Sequence, residues 1–126
     1  MRLRLELFVA DMDASVRFYT DVLGYRVVRR DEGYASLRRG AAVLGIGPIA
    51  KLPADGGGPG FTQARLAGDR GAGVEIVLEV PDLDAVYEQA VAAGAAIAEP
   101  PRRQPWGLRD FRLADPDGYY VRVTTA

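Results

Sequence analysis

Neither cysteine nor histidine occurs among the 126 residues, so any chemistry here must be done by other groups. Without histidine the chain lacks the side chain that titrates nearest neutral pH and the commonest metal ligand. Without cysteine it lacks thiolate nucleophiles and a disulfide framework. What remains for a metal is oxygen, which suits Mg²⁺, Ca²⁺ or Mn²⁺. Asp11 with Asp13, and Asp82 with Asp84, are spaced as metal-friendly carboxylate pairs. Each pair also opens an apolar helical pattern, where capping and the helix dipole account for the acids in full. The run Gly56-Gly57-Gly58-Pro59-Gly60 lacks the Gly-Lys-Ser/Thr ending of a phosphate loop and reads as a linker.

Composition narrows the partners. With 48% hydrophobic and 26% charged residues and a formal net charge of −1, the chain reads as one globular domain with no global field for nucleic acid or an anionic membrane. Of sixteen basic residues, Lys51 alone is lysine. The pairs Arg29-Arg30, Arg38-Arg39 and Arg102-Arg103 fall at strand ends and turns, too scattered for a nucleic-acid face. Residues 1–8 alternate apolar and polar as a strand does, where a signal peptide shows an unbroken apolar run. No stretch is apolar enough to span a bilayer, so a cytoplasmic location is expected.

The elements that position these groups repeat. A strand over residues 3–9 leads to Asp11 as helix cap, an apolar stripe at Met12, Val16, Tyr19 and Leu23, and a closing Gly24. Three short strands follow at 25–30, 33–38 and 42–46. A second strand over 74–80 then leads to Asp82, the stripe Leu83, Val86, Tyr87, Ala90 and Val91, and Gly94. Strands are predicted at 95–99, 108–114 and 119–124, the last two joined by Asp115-Pro116-Asp117-Gly118 as a type I turn. Val9-Ala10-Asp11-Met12-Asp13-Ala14 thus recurs as Val80-Pro81-Asp82-Leu83-Asp84-Ala85. The expectation is an α+β domain of two βαβββ modules, about 1–47 and 74–126, with a Gly/Pro-rich connector over 48–73 holding one short strand near 61–66.

Neither module can bury both faces of its sheet. Together they are expected to form one curved, mixed but mostly antiparallel sheet around a cleft, with helices outside. If Leu3, Leu5 and Leu7 meet the helix, strand parity turns Arg4, Glu6 and Phe8 into the cleft. The same parity turns in Glu75, Val77 and Glu79, and Tyr120, Arg122 and Thr124.

Three motifs carry a family resemblance: Val-x-Asp-x-x-x-Ser-x-x-Phe-Tyr-x-x-x-Leu-Gly from Val9 to Gly24, the second Val-x-Asp-Leu-Asp-Ala from Val80 to Ala85, and Asp-Pro-Asp-Gly from Asp115 to Gly118. In combination they resemble the vicinal-oxygen-chelate superfamily, which includes glyoxalase I, extradiol dioxygenases, fosfomycin-resistance enzymes and bleomycin-binding proteins. The resemblance implies metal ligands on the first strand of each half and on the final strand. Counted from the motifs, those positions hold Arg4, Glu75 and Arg122. Only Glu75 can coordinate, since a guanidinium has no lone pair to offer and repels a cation. No metal and no other cofactor is therefore expected, and Arg4 and Arg122 are expected to pair with Glu75, Glu6 or Glu79 instead. Gln104-Pro105-Trp106-Gly107 is similar to a segment of the bleomycin-binding members, which makes Trp106 a stacking residue by resemblance.

The leading expectation is a metal-free protein that sequesters a small aromatic or peptide-derived compound, such as a bleomycin-like or chromophore-peptide antibiotic, and so confers resistance. The resemblance also implies a homodimer whose clefts are completed across the subunits. The ligand-facing set comprises Trp106, Phe8, Tyr34, Phe61, Arg4, Glu6, Glu75, Glu79, Arg112, Tyr120 and Arg122. The alternative is a lyase, isomerase or dioxygenase-type enzyme that uses a cleft carboxylate, Glu75 foremost, or an all-oxygen metal site.

Overall fold

The computed structural model describes residues 1–126. Its order is β1 (Leu5–Val9), α1 (Met12–Arg17) running into a π-helical turn (Phe18–Val22), then β2 (Arg26–Asp31), β3 (Tyr34–Arg39) and β4 (Ala42–Pro48). The second module repeats it with β5 (Ile76–Val80), α2 (Leu83–Ala92), β6 (Ala96–Arg103), β7 (Arg109–Ala114) and β8 (Tyr120–Thr125). The strand orders are β1-β4-β3-β2 and β5-β8-β7-β6, with the first pair of each parallel and the others antiparallel. This is the expected α+β architecture, except that no ladder joins the two four-stranded sheets. No helix is long and apolar enough to cross a membrane.

Both helices start where their carboxylates allow. The Asp11 side chain accepts from Ala14 N at 3.1 Å and that of Asp82 from Ala85 N at 3.0 Å, satisfying amides that the first turn leaves free. The first helix does not continue as regular α to residue 23. Thr20 Oγ1 donates back to Val16 O and Arg17 O, and the chain widens into a π turn before Gly24 (φ +69°) closes it. That turn buries Phe18, Tyr19 and Val22 together. One face of each sheet packs on its helix, and 21 buried apolar residues from both modules form a single cluster. Among them Tyr19, Leu37, Phe111 and Leu113 are almost wholly enclosed.

Several strand bounds differ from expectation; β5, for one, begins at Ile76 and not at 74, so Glu75 lies just before its strand. β1 begins at Leu5, and Leu3 lies before it, 78% exposed, so the helix-facing set is Leu5, Leu7 and Val9. Residues 61–66 are turns: Thr62 Oγ1 accepts from Arg65 N and Leu66 N donates to Thr62 O, a local closure that competes with strand pairing. β6 runs on to Arg103 through Pro100 and Pro101, and its register against β7 shifts twice, between Ile97 and Glu99 and between Glu99 and Arg102. Proline has no N–H for the ladder, which explains the irregularity.

The modules are joined by the turn after β7. Asp115 takes Asp117 N and Tyr119 N, each at 2.9 Å, on Oδ1 and the Tyr19 hydroxyl at 2.9 Å on Oδ2. Asp117 Oδ1 accepts from Ala10 N at 2.8 Å and pairs with Arg70 at 2.7 Å, while the Tyr119 hydroxyl donates to Phe8 O at 2.9 Å. Gly71 lets the connector lie against this turn: its φ is +75°, and a Cβ there would sit 2.7 Å from the Tyr119 ring.

Candidate functional site

The face of each sheet that its helix leaves open carries the polar side chains. In the first module Arg29, Ser36, Gly45 and Glu6 are successive register partners across the sheet. In the second, Glu99, Arg112, Arg122 and Val77 form the corresponding row, and Arg102, Asp110, Thr124 and Glu79 the next. The repeat superposes Arg4 on Glu75, Glu6 on Val77 and Gly45 on Arg122, because β1 and β5 begin at the same place in each module.

On the second face charge is balanced by contact. Arg122 Nε lies 2.6 Å from Glu75 Oε1, and its NH1 lies 3.7 Å from Asp110 Oδ2. Arg112 stands opposite Arg122 in register, a like-charged pair that must be offset. Its NH1 donates to the Tyr120 hydroxyl at 3.1 Å, and its Nε lies 3.4 Å from Glu99 and 3.6 Å from Asp110. The bond to Tyr120 raises the pKa of Arg112 further. Asp110 is completely buried, accepts from Gln104 Nε2 at 2.8 Å, and leaves Oδ2 without a hydrogen-bond partner. No motif of the sequence points to Asp110 or Glu99, and Gln104 stands out there only as the start of the Trp106 segment. Asp110 falls on the open face by the same parity that places Arg112 there, which is the signal that marks it.

On the first face Arg4 Nε lies 2.6 Å from Glu6 Oε1, and the Tyr34 hydroxyl donates to that oxygen at 3.0 Å. Burial, then the bond to Glu6, raises the Tyr34 pKa above its ordinary 10.0. The Glu6 carboxylate lies over Gly45, where any Cβ would overlap both it and the Tyr34 hydroxyl. Gly45→Ala is therefore expected to expel Glu6 and break its bond to Tyr34, bringing the Tyr34 titration down toward 10.0. Stability should change by under about 1 kcal/mol, because the displaced atoms end flexible side chains. Absorbance titration with a thermal melt checks both; an unmoved Tyr34 titration overturns the assignment.

The two arginine–carboxylate pairs form within their modules, Arg4 with Glu6 and Arg122 with Glu75. Glu79 makes no ion pair. The aromatic residues are dispersed. Phe8 and Phe61 stack at 4.5 Å beside a cavity of about 370 Å³ that Tyr119 and Tyr120 also line. Trp106 stands at the tip of the β6–β7 turn, 56% exposed.

A family model described as the Glyoxalase/Bleomycin resistance protein/Dioxygenase superfamily matches residues 3–123. The chain belongs to that superfamily. It is 27% identical over 123 residues to a probable lactoylglutathione lyase of Vibrio cholerae serotype O1 (strain ATCC 39315 / El Tor Inaba N16961), covering 93% of this chain and 84% of the relative. Its fold is similar to that of TioX from Micromonospora sp. ML1, with TM-score 0.78 and 24% identity over 99% of this chain and 98% of TioX. It is also similar to lactoylglutathione lyase from Agrobacterium tumefaciens, with TM-score 0.75 and 19% identity over 100% and 93% of the two chains.

A metal of the kind associated with this superfamily does not fit the residues present. Two of the three positions counted from the motifs hold guanidinium groups, and the third, Glu75, is held by one of them. The internal repeat identifies Gly45 as the counterpart of Arg122, and it offers no donor at all. No three Asp or Glu side chains converge elsewhere.

Proposed function

We propose that this superfamily member binds a small aromatic or peptide-derived compound and holds it without transforming it, giving resistance by sequestration. The observation that carries the reading is the ion pair between Arg122 and Glu75 at 2.6 Å, which commits the one carboxylate among the counted metal positions. The open faces carry recognition groups: guanidinium edges, the Tyr34 and Tyr120 hydroxyls, and the apolar recess beside Phe8 and Phe61. Each module presents one open face, so a homodimer in which the faces of two chains oppose one another would enclose a ligand, with Trp106 from the exposed turn as a lid.

Titration with bleomycin-like glycopeptides and chromophore peptides, followed by Trp106 fluorescence, is expected to saturate at one ligand per cleft. The compound should be recovered chemically unchanged. At a hundred times its dissociation constant such a ligand should stabilise the fold by about 2.7 kcal/mol. Recovery of a converted product, or no binding by any aromatic compound, would overturn the proposal.

A further inference from the structure

Arg29 and Lys51 have no place in the charge pairing described above. Both border a concavity of about 530 Å³ on the open face of the first module, together with Arg4, Glu6, Phe8 and Tyr34. Three cations thus meet a single carboxylate, and that carboxylate is already bound by Arg4 and by the Tyr34 hydroxyl. Neither Arg29 nor Lys51 forms an ion pair. The nearby Asp31 carboxylate accepts from Gly33 N at 2.8 Å. The second module's face contrasts sharply, because each of its arginines lies against a carboxylate.

The concavity also has a surface for a flat group. The Arg29 guanidinium carbon lies 5.4 Å from the centre of the Tyr34 ring, and Phe8 also lines the concavity. Gly33 and Gly47 contribute backbone with no side chain to fill the space. Lys51, the one lysine of the chain, projects past Gly33 so closely that its Cδ would lie 3.9 Å from a Cβ there. Two unpaired cations beside an aromatic wall recognise a negative group attached to a ring, through charge-assisted hydrogen bonds to the anion and packing on the ring face. We infer that this concavity is a recognition site for a planar aromatic anion, a carboxylate or a phosphate, with its charge between Arg29 and Lys51 and its ring against Tyr34 and Phe8. The inference rests on the open face being a small-molecule surface, and it adds the charge of the molecule.

Calorimetric titration of the full chain with 2-naphthoate, 2-naphthyl phosphate and the neutral 2-naphthamide separates the possibilities. The anions are expected to bind roughly tenfold or more tightly than the amide, with that advantage shrinking as salt is raised. Whichever anion binds more tightly identifies the head group. Arg29→Ala with Lys51→Ala should abolish the advantage of the anions over the amide, while Lys51→Arg should keep most of it. Equal binding of anions and amide to the unaltered protein, or an anion advantage that survives the double substitution, overturns the inference alone. Failure of all three probes to bind overturns it as well, whereas the sequestration reading is decided separately by the glycopeptide and chromophore-peptide titration.

Discussion

Asp115→Ala is expected to destabilise the protein by about 3 kcal/mol, the sum of several buried donors left without an acceptor. The Tyr19 hydroxyl is enclosed in the first module, and the amides of Asp117 and Tyr119 belong to the second, so the loss falls on the joint between modules. Asp115→Asn should cost under about 1 kcal/mol, because its carbonyl can take the two amides while its NH₂ donates to the Tyr19 oxygen. The pair also differs in pH dependence. Burial first, against the opposing hydrogen bonds, raises the Asp115 pKa above its ordinary 3.8. The folded protein then holds this proton more tightly than the unfolded chain does. The favourable contribution is complete below pH 3.8 and is lost as pH rises through the raised value. Stability of the unaltered protein minus that of Asp115→Asn should therefore decline across this interval and then level off. Denaturant melts at a series of pH values measure it, and a difference that rises with pH would contradict the assignment.

The second large effect is expected at Asp110. Its carboxylate lies beneath two guanidinium groups at 3.6 and 3.7 Å and receives Gln104. Removing one partner of a fully buried pair costs about 3–5 kcal/mol, and because the arginine side chains here are about one-fifth exposed, about 2–3 kcal/mol is expected for Asp110→Ala. Arg112 and Arg122 would then face each other across β7 and β8 with one fewer counter-charge. Sulfate should restore part of the loss. A melt that is insensitive to both the substitution and added sulfate would show that Asp110 does not anchor the pair.

The duplication was legible because it rests on strong local signals: two aspartate caps, two apolar stripes and two closing glycines at matching positions. Strand parity then located much of the open face, including Glu6, Tyr120 and Arg122. Parity could not reveal Gly45, since the absence of a side chain gives no sign of which neighbour will fill the space. Nor does parity mark the burial of Asp110, which takes a hydrogen bond from Gln104 in the turn before β7. The π turn was hidden because Phe18, Tyr19 and Val22 suit either helical period, and the bonds from Thr20 decide between them. At 61–66 the connector's apolar residues suggest a strand, whereas Thr62 closes the chain on itself. Lys51 stands out in the sequence only as the single lysine, and its position beside Gly33 depends on a turn after β4 that no periodicity encodes.

The irregular outer strands carry a further consequence. β2 is exposed along its whole length and interleaves Val27 and Val28 with Arg26, Arg29, Arg30 and Asp31, while β6 contains Pro100 and Pro101. A bare strand edge is a template on which a second chain can polymerise. Here one edge repels an identical copy by charge, and the other lacks donors at two adjacent residues. Addition of an identical strand is thus discouraged at the β2 and β6 edges, each the outermost strand of its sheet on that side.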